Sequence, residues 1–334
     1  MKITSGLGSI DDYPRYVRAG ADELFCGYVP FSWSEKYGTV LPLNRREVLN
    51  YNVQIGSFSE LEILANMVQK YQKPVHLAFN SLYYRPEQYE EITQIIQQCR
   101  SIGFDSYILA DPALLVYLRK EKIDCEVHLS GDLGTVNSAM TEVFAKEYPK
   151  RIIFQRKISE MRAVIRHITA QKEAARKEWT YPTEFEAFAL NELCQFSGAF
   201  CNSLHCDEMG YLCLVPYWKK PMSLSESKLE KQEKNHPGEN ISISEWDSAS
   251  ELTNPVSEDG YLCGLCTLKQ LSDAGITHLK LVGRGNYTDF MERDIRNLRR
   301  TLEILEDSST EEEYIRAMKA ELFPNGCSHM CYAR

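Results

Sequence analysis

Cysteine supplies most of the chemistry this sequence can do. Cys194, Cys201, Cys206 and Cys213 fall within one stretch, EFEAFALNELCQFSGAFCNSLHCDEMGYLC over 184–213, and Cys263 and Cys266 follow in YLCGLC. Thiolates are soft anionic ligands suited to iron–sulfur clusters, zinc or Cu(I). A cubane cluster takes four thiolates that can lie far apart in sequence. A structural zinc site favours two tight Cys-x2-Cys pairs. Here the stretch opens with Cys-x6-Cys, and Cys263-x2-Cys266 alone has the tight form, so the spacing favours a cluster, with zinc as the alternative. Cys26, Cys99 and Cys125 sit inside apolar or helical runs and read as small buried hydrophobes. Cys327-x3-Cys331, with His329 between them, either belongs to a tail or joins Cys206 and Cys266 in a second site.

A strand must deliver the first cysteines, and EFEAFA reads as one. This strand, Glu186 and Phe188 followed by Leu193, Cys194 and Cys201, resembles the signature of the peptidase U32 family. The segment LCGLCTLKQLSDAGITHLKLVGRG carries Cys263, Gly275, Leu279, Lys280, Gly283 and Arg284 on positions similar to that family's, and GYLC over 210–213 resembles its intermediate Gly-x-Cys. The opening Gly20, Ala21, Asp22, Phe25 and Gly27 is similar as well. Asn191-Glu192, Ala199 and Val282 depart from the pattern. The resemblance implies that Cys194, Cys201, Cys213 and Cys263 hold one 4Fe-4S cluster. The resemblance also implies oxygen-independent hydroxylation, of nucleobases of RNA or of ubiquinone precursors in similar proteins, with prephenate as oxygen donor in some. The family label itself implies a peptidase. A third alternative is a non-catalytic, cluster-bearing partner of a second U32-family subunit.

Strand-like runs occur at 2–5, 22–27, 75–80, 106–110, 125–130, 151–155, 184–189 and 278–282. Most are separated by one helical pattern, such as FSELEILANMVQKY over 58–71. Alternating strands and helices imply a parallel sheet, and eight such units fit a (β/α)8 TIM-like barrel, with an open doubly wound sheet as the alternative. No G-x-G-x-x-G follows the first strand, so dinucleotide binding has little support. The barrel is expected over 1–190 and 261–310. A cysteine-rich and polar insertion is expected over 191–260, between the seventh and eighth strands, and a C-terminal tail over 311–334. Residues 29–57 read as an irregular loop in which Asn44 and Arg45 stand out.

Active sites of such barrels gather at the C-terminal ends of the strands. Asn80, Asp111, Ser130, Asp132, Gln155, Arg156, Glu192, Lys280 and Arg284 lie at or just past strand ends. Of these, Asp111, Ser130, Asp132, Arg156, Lys280 and Arg284 are the expected catalytic residues. Lys280 lies inside an apolar strand, where a charge needs a partner. Arg284, between Gly283 and Gly285, suits a carboxylate or phosphate. An anionic small-molecule substrate or oxygen donor would suit Arg156, Lys280 or Arg284. Proteolysis finds little chemistry here: G-x-S-x-G and H-E-x-x-H are both absent.

The chain has 334 residues, 43% of them hydrophobic, and a net charge of −9. That is enough for a substantial core, and the acidity disfavours RNA as a partner. No apolar run of about 18 residues suggests a membrane span. The N-terminus lacks a signal-peptide core, and 11 cysteines without an export signal point to a reducing cytoplasm and metal ligation over disulfides.

Overall fold

The structure is a computed structural model that describes residues 1–38, 41–45, 54–135, 137–155, 158–174, 182–190, 263–327 and 331. Nine parallel strands are described: β1 (Lys2–Gly6), β2 (Glu23–Tyr28), β3 (Gln54–Ile55), β4 (Val75–Phe79), β5 (Ser106–Leu109), β6 (Glu126–Leu129), β7 (Arg151–Ile153), β8 (Glu184–Leu190) and β9 (His278–Leu281). Eight of them follow the order β1-β9-β8-β7-β6-β5-β4-β2, and pairing of β1 with β2 closes the ring. The fold is therefore the (β/α)8 barrel and not the open sheet. The two-residue β3 hangs on the outer end of β2, with Gly27 opposite Gln54.

The helices α1 (Tyr13–Ala19), α3 (Phe58–Tyr71), α4 (Pro86–Ser101), α5 (Pro112–Lys120), α6 (Ser138–Ala145), α7 (Ile158–Ala174) and α8 (Leu268–Ala274) alternate with the strands, and α9 (Thr288–Glu306) follows β9. Their starts are written in the sequence. Ser57 accepts from the Glu60 N–H while Glu60 reaches back, a capping box for α3, and Asp111 caps α5 with Pro112 at its first turn. Two elements differ from the sequence reading. The irregular 29–57 segment contains α2 (Phe31–Tyr37), seated by fully buried Trp33, and the last helical stretch breaks into α9 and α10 (Glu311–Leu322). The expected insertion over 191–260 lies outside the described residues.

Side chains alternate across each strand. Leu24, Cys26 and Tyr28 of β2 face the helices within one large apolar core, while Phe25 faces the barrel axis with Ala78, Ile108, Ile153 and Phe188. The outer face of the strands is apolar, and the inner face is apolar at this middle layer. That inner apolar layer divides the barrel axis. Below it, toward the strand starts, lies a charged floor. Above it, at the strand ends, lies a polar mouth.

Candidate functional site

The mouth begins with a clamped loop. Trp33 Nε1 donates to the Leu41 carbonyl at 3.1 Å, the Ser81 hydroxyl donates to the Pro42 carbonyl, and the Tyr84 hydroxyl donates to the Leu43 carbonyl. Three consecutive carbonyls are thus pinned by side chains from α2 and the loop after β4. The clamp carries Asn44 and Arg45 to the strand ends, where both are buried. Asn44 Nδ2 donates to Gln54 Oε1 at 3.2 Å, and Arg45 Nη1 meets Asp132 Oδ1 at 2.8 Å. Asn80, just past β4, accepts from the Arg45 N–H and donates to Asp132 Oδ2, both at 3.4 Å.

Arg284 joins from the loop after β9, two strands round the ring from β2. Gly283 takes φ +120°, a left-handed conformation that L side chains rarely adopt. The Arg284 guanidinium lies over the Phe25 ring at 5.9 Å, and Nη1 reaches Asn44 Oδ1 at 3.5 Å. Gly27 makes the approach possible. A Cβ there would stand 2.6 Å from Asn44 Nδ2 and 2.7 Å from Arg284 Nη1. Lys280 sits just beneath, its Nζ 3.6 Å from the Phe25 ring centroid and 2.8 Å from Glu186 Oε1.

Burial opposes the charges on Lys280 and Glu186. It pulls Lys280 below the usual lysine range despite the support of Glu186. It works to raise Glu186, yet Lys280 and Arg151 together hold that carboxyl down to about 2. The pair is charged, hydrogen-bonded and dry.

The floor is a second polar system that the sequence reading did not assemble. Arg151 is 2% exposed and grips Glu186 and Glu23 at 2.7 Å each, with Glu184 at 2.7 Å. Glu23 also takes His76 Nε2 at 3.0 Å, His278 Nε2 at 3.2 Å and Lys2 at 3.2 Å. These contacts hold the Glu23 carboxyl far below the usual carboxylate range against its burial. The signal was present: polar residues at period two inside VHLAF, EVHL, EFEAF and HLKL mark inward positions. Floors of this kind, at the N-terminal end, serve stability.

The expected site residues divide accordingly. Ser130, Asp132 and Arg284 converge on the mouth, and Lys280 supports it from below. Ser130 is engaged locally, its hydroxyl accepting the Asp132 N–H at 3.2 Å. Asp111 stands apart from that convergence, its oxygens accepting the Tyr84 and Ala113 N–H groups at 2.8 Å each. Arg156, Cys194, Cys201 and Cys213 lie outside the described residues. Gln155 donates to the Gly131 carbonyl at 2.6 Å.

Cys263 lies at the mouth end of the barrel. It pairs with Leu190, the last residue of β8, and the Gly264 N–H donates to the Ala189 carbonyl at 2.9 Å. Its backbone also pairs in parallel with that of Cys331. The tail returns to this point because the Tyr314 hydroxyl ties α10 to the Leu265 carbonyl and a turn at Gly326 reverses the chain. Cys263, Cys266, Cys327 and Cys331 therefore share one neighbourhood, with mutual electrostatic interactions. No disulfide forms among the described cysteines. Burial pushes the Cys263 thiol up to about 12 and raises Cys266. Thiols this buried become thiolates when a cation offsets the charge, which is the chemistry of a soft metal site.

A family model described as peptidase family U32 matches residues 8–333. The chain belongs to peptidase family U32. Among solved structures it is similar to a U32 peptidase at 13% identity, over 57% of this chain and 69% of that one, with a TM-score of 0.39. It is also similar to 2,3-dimethylmalate lyase at 11% identity, over 95% and 89% of the two chains, with a TM-score of 0.36. A glycerophosphodiester phosphodiesterase from Parabacteroides distasonis matches at 10% identity, over 57% and 84%, again with a TM-score of 0.36. Among the described residues of this U32 protein, no helix is long and apolar enough to cross a membrane.

Proposed function

We propose that this U32-family chain is an iron–sulfur protein that catalyses or assists oxygen-independent hydroxylation of a small molecule or nucleobase. An anionic substrate or oxygen donor binds at its mouth. The observation that carries the reading is the placement of buried Arg45 and Arg284, with Lys280 below, at the same barrel end as Cys263. Buried guanidinium groups recognise carboxylate or phosphate through paired hydrogen bonds.

The donor set suits the cofactor. Cys263 is a family-type ligand position in a thiol-rich, largely dry neighbourhood, and Cys194 lies four residues after its partner Leu190 in the sequence. Cys194, Cys201, Cys213 and Cys263 would hold the 4Fe-4S cluster, which when bound supplies electron transfer or a Lewis-acidic iron. The chain's own residues do the rest. Arg284 and Arg45 orient the anion, Asn44 holds the Arg284 guanidinium, Asp132 holds that of Arg45 with Asn80 behind it, and the Phe25 layer keeps water from the Lys280–Glu186 pair.

A second ligand set, Cys263 and Cys266 with Cys327 and Cys331, is favoured by the backbone pairing that brings Cys331 beside Cys263. Its Cys-x2-Cys and Cys-x3-Cys pairs fit zinc as well as iron. Proteolysis finds less support. Ser130 is engaged with the Asp132 N–H, and the described histidines of the barrel interior lie on the floor, away from the mouth. The test is purification under nitrogen with iron, sulfide and zinc analysis. A brown protein whose iron is lost in Cys263→Ala supports the proposal, and a colourless protein carrying stoichiometric zinc overturns it. A second U32-family subunit retained through purification would make this chain one half of the enzyme.

A further inference from the structure

The floor of the barrel contains a cluster for which the mouth has no use. His76 on β4 and Glu126 and His128 on β6 bring one ligand-type atom each to within 4.8 Å of one another. The Ser106 hydroxyl on β5 sits among them, 2.8 Å from His76 Nδ1 and 3.4 Å from His128 Nε2. We propose that His76, His128 and Glu126 form a binding site for a borderline divalent cation such as Zn2+, separate from the thiolate site.

Four observations support it. First, His76 is oriented as metal-bound histidines are. Its Nε2 faces Glu23 at 3.0 Å, and Glu23 is held ionised by Arg151, His278 and Lys2, so Nε2 carries the proton. That leaves the Nδ1 lone pair facing the cluster, the carboxylate–histidine arrangement that fixes a ligand's tautomer. Second, His128 is fully buried, and its Nδ1 has no partner among the described residues. Its Nε2 lies 2.9 Å from Glu126 Oε1. Neutral imidazole is the form that ligates. Third, the donor set is two imidazoles and one carboxylate, which suits zinc, iron or nickel better than magnesium or calcium. Fourth, the Glu126 side chain is 41% exposed at the open lower end of the barrel, so an ion has a route in.

The geometry needs modest closure. Ligand atoms on one zinc ion stand roughly 3.3 Å apart, given bonds of about 2.0–2.1 Å, so shifts on the order of 1 Å suffice. The ion takes the lone pair of His128 Nε2, and the ring proton that faced Glu126 moves to Nδ1, so His128 ligates as neutral imidazole and no proton is released. The bound ion ties β4 to β6 across β5, at the end of the barrel where such contacts stabilise the fold.

The site stands apart from the thiolate chemistry, and its failure leaves the hydroxylation proposal untouched. The test uses the full chain as purified under nitrogen, dialysed against zinc. Zinc per chain is counted, and absorption at the zinc K-edge reads the neighbouring atoms. Wild type is expected to hold one zinc with nitrogen and oxygen neighbours. Glu126→Ala is expected to lose that zinc, weakening affinity at least tenfold while retaining iron and the helical circular dichroism of wild type. Ser106→Ala, which removes no ligand, is expected to retain it. Equal zinc content in wild type and Glu126→Ala overturns the proposal, and so does zinc surrounded by sulfur alone.

Discussion

Glu186→Gln isolates the energetics that support the mouth. Glu186 accepts from Lys280 Nζ at 2.8 Å and from Arg151 Nη1 at 2.7 Å, and it is 1% exposed. The amide keeps the volume and removes the charge, so buried Lys280 loses its carboxylate while Arg151 keeps Glu23 and Glu184. Breaking a buried pair in this way costs about 3–5 kcal/mol. The acid–base properties give an independent figure. A carboxyl carried from 4.5 to about 2 gains on the order of 3 kcal/mol, at about 1.36 kcal/mol for each tenfold change in proton affinity. For 334 residues the unfolding entropy is about 0.7 kcal/mol/K, so the expected loss in Tm is about 4–7 °C at neutral pH. The sign with pH follows. The folded-state affinity for a proton is depressed, so this stability is present above the unfolded value of 4.5 and is lost as pH falls from there toward about 2. Wild type and Glu186→Gln therefore converge on acidification through that window. Calorimetry at a series of pH values reads both effects. A Tm change under about 1 °C at neutral pH, or a difference that persists unchanged into strong acid, would refute the reasoning.

The mouth and the thiolates make further predictions. Arg284→Gln removes a charged hydrogen-bond donor worth about 1.5–3 kcal/mol and should raise KM for an anionic donor roughly 10- to 100-fold, with iron content unchanged. Gly27→Ala places a methyl group 2.6 Å from Asn44 Nδ2 and 2.7 Å from Arg284 Nη1, and should raise the same KM while costing about 1–3 kcal/mol of stability by overpacking. Cys327→Ser with Cys331→Ser separates the two ligand sets. Iron and sulfide should survive if Cys194, Cys201, Cys213 and Cys263 hold the cluster, and should fall as in Cys263→Ala if the tail is part of it.

How much of this was legible in the sequence depends on which face of a strand is asked about. The strands themselves were readable, because a parallel sheet covered by helices needs apolar residues on its outer face, and runs such as SYIL and HLKL satisfy that demand. The inner face was harder. His76, His128, Glu186 and Lys280 each interrupt an apolar run at period two, and the reading stopped at individual residues such as Lys280. Their meaning lies in pairings across the ring, Arg151 with Glu23 over 128 positions and Lys280 with Glu186 over 94, that no local pattern encodes. The mouth shows the same limit. Asn44 and Arg45 stood out by composition in a segment without periodicity, but their burial comes from Trp33, Ser81 and Tyr84 binding three carbonyls of the loop. Asp111 shows the converse, a carboxylate at a strand end whose Asp-Pro context signalled a helix cap and whose oxygens accept backbone N–H groups. Position at a strand end thus nominates a residue, and only its hydrogen-bond partners separate a side chain available to a ligand from one already holding the fold.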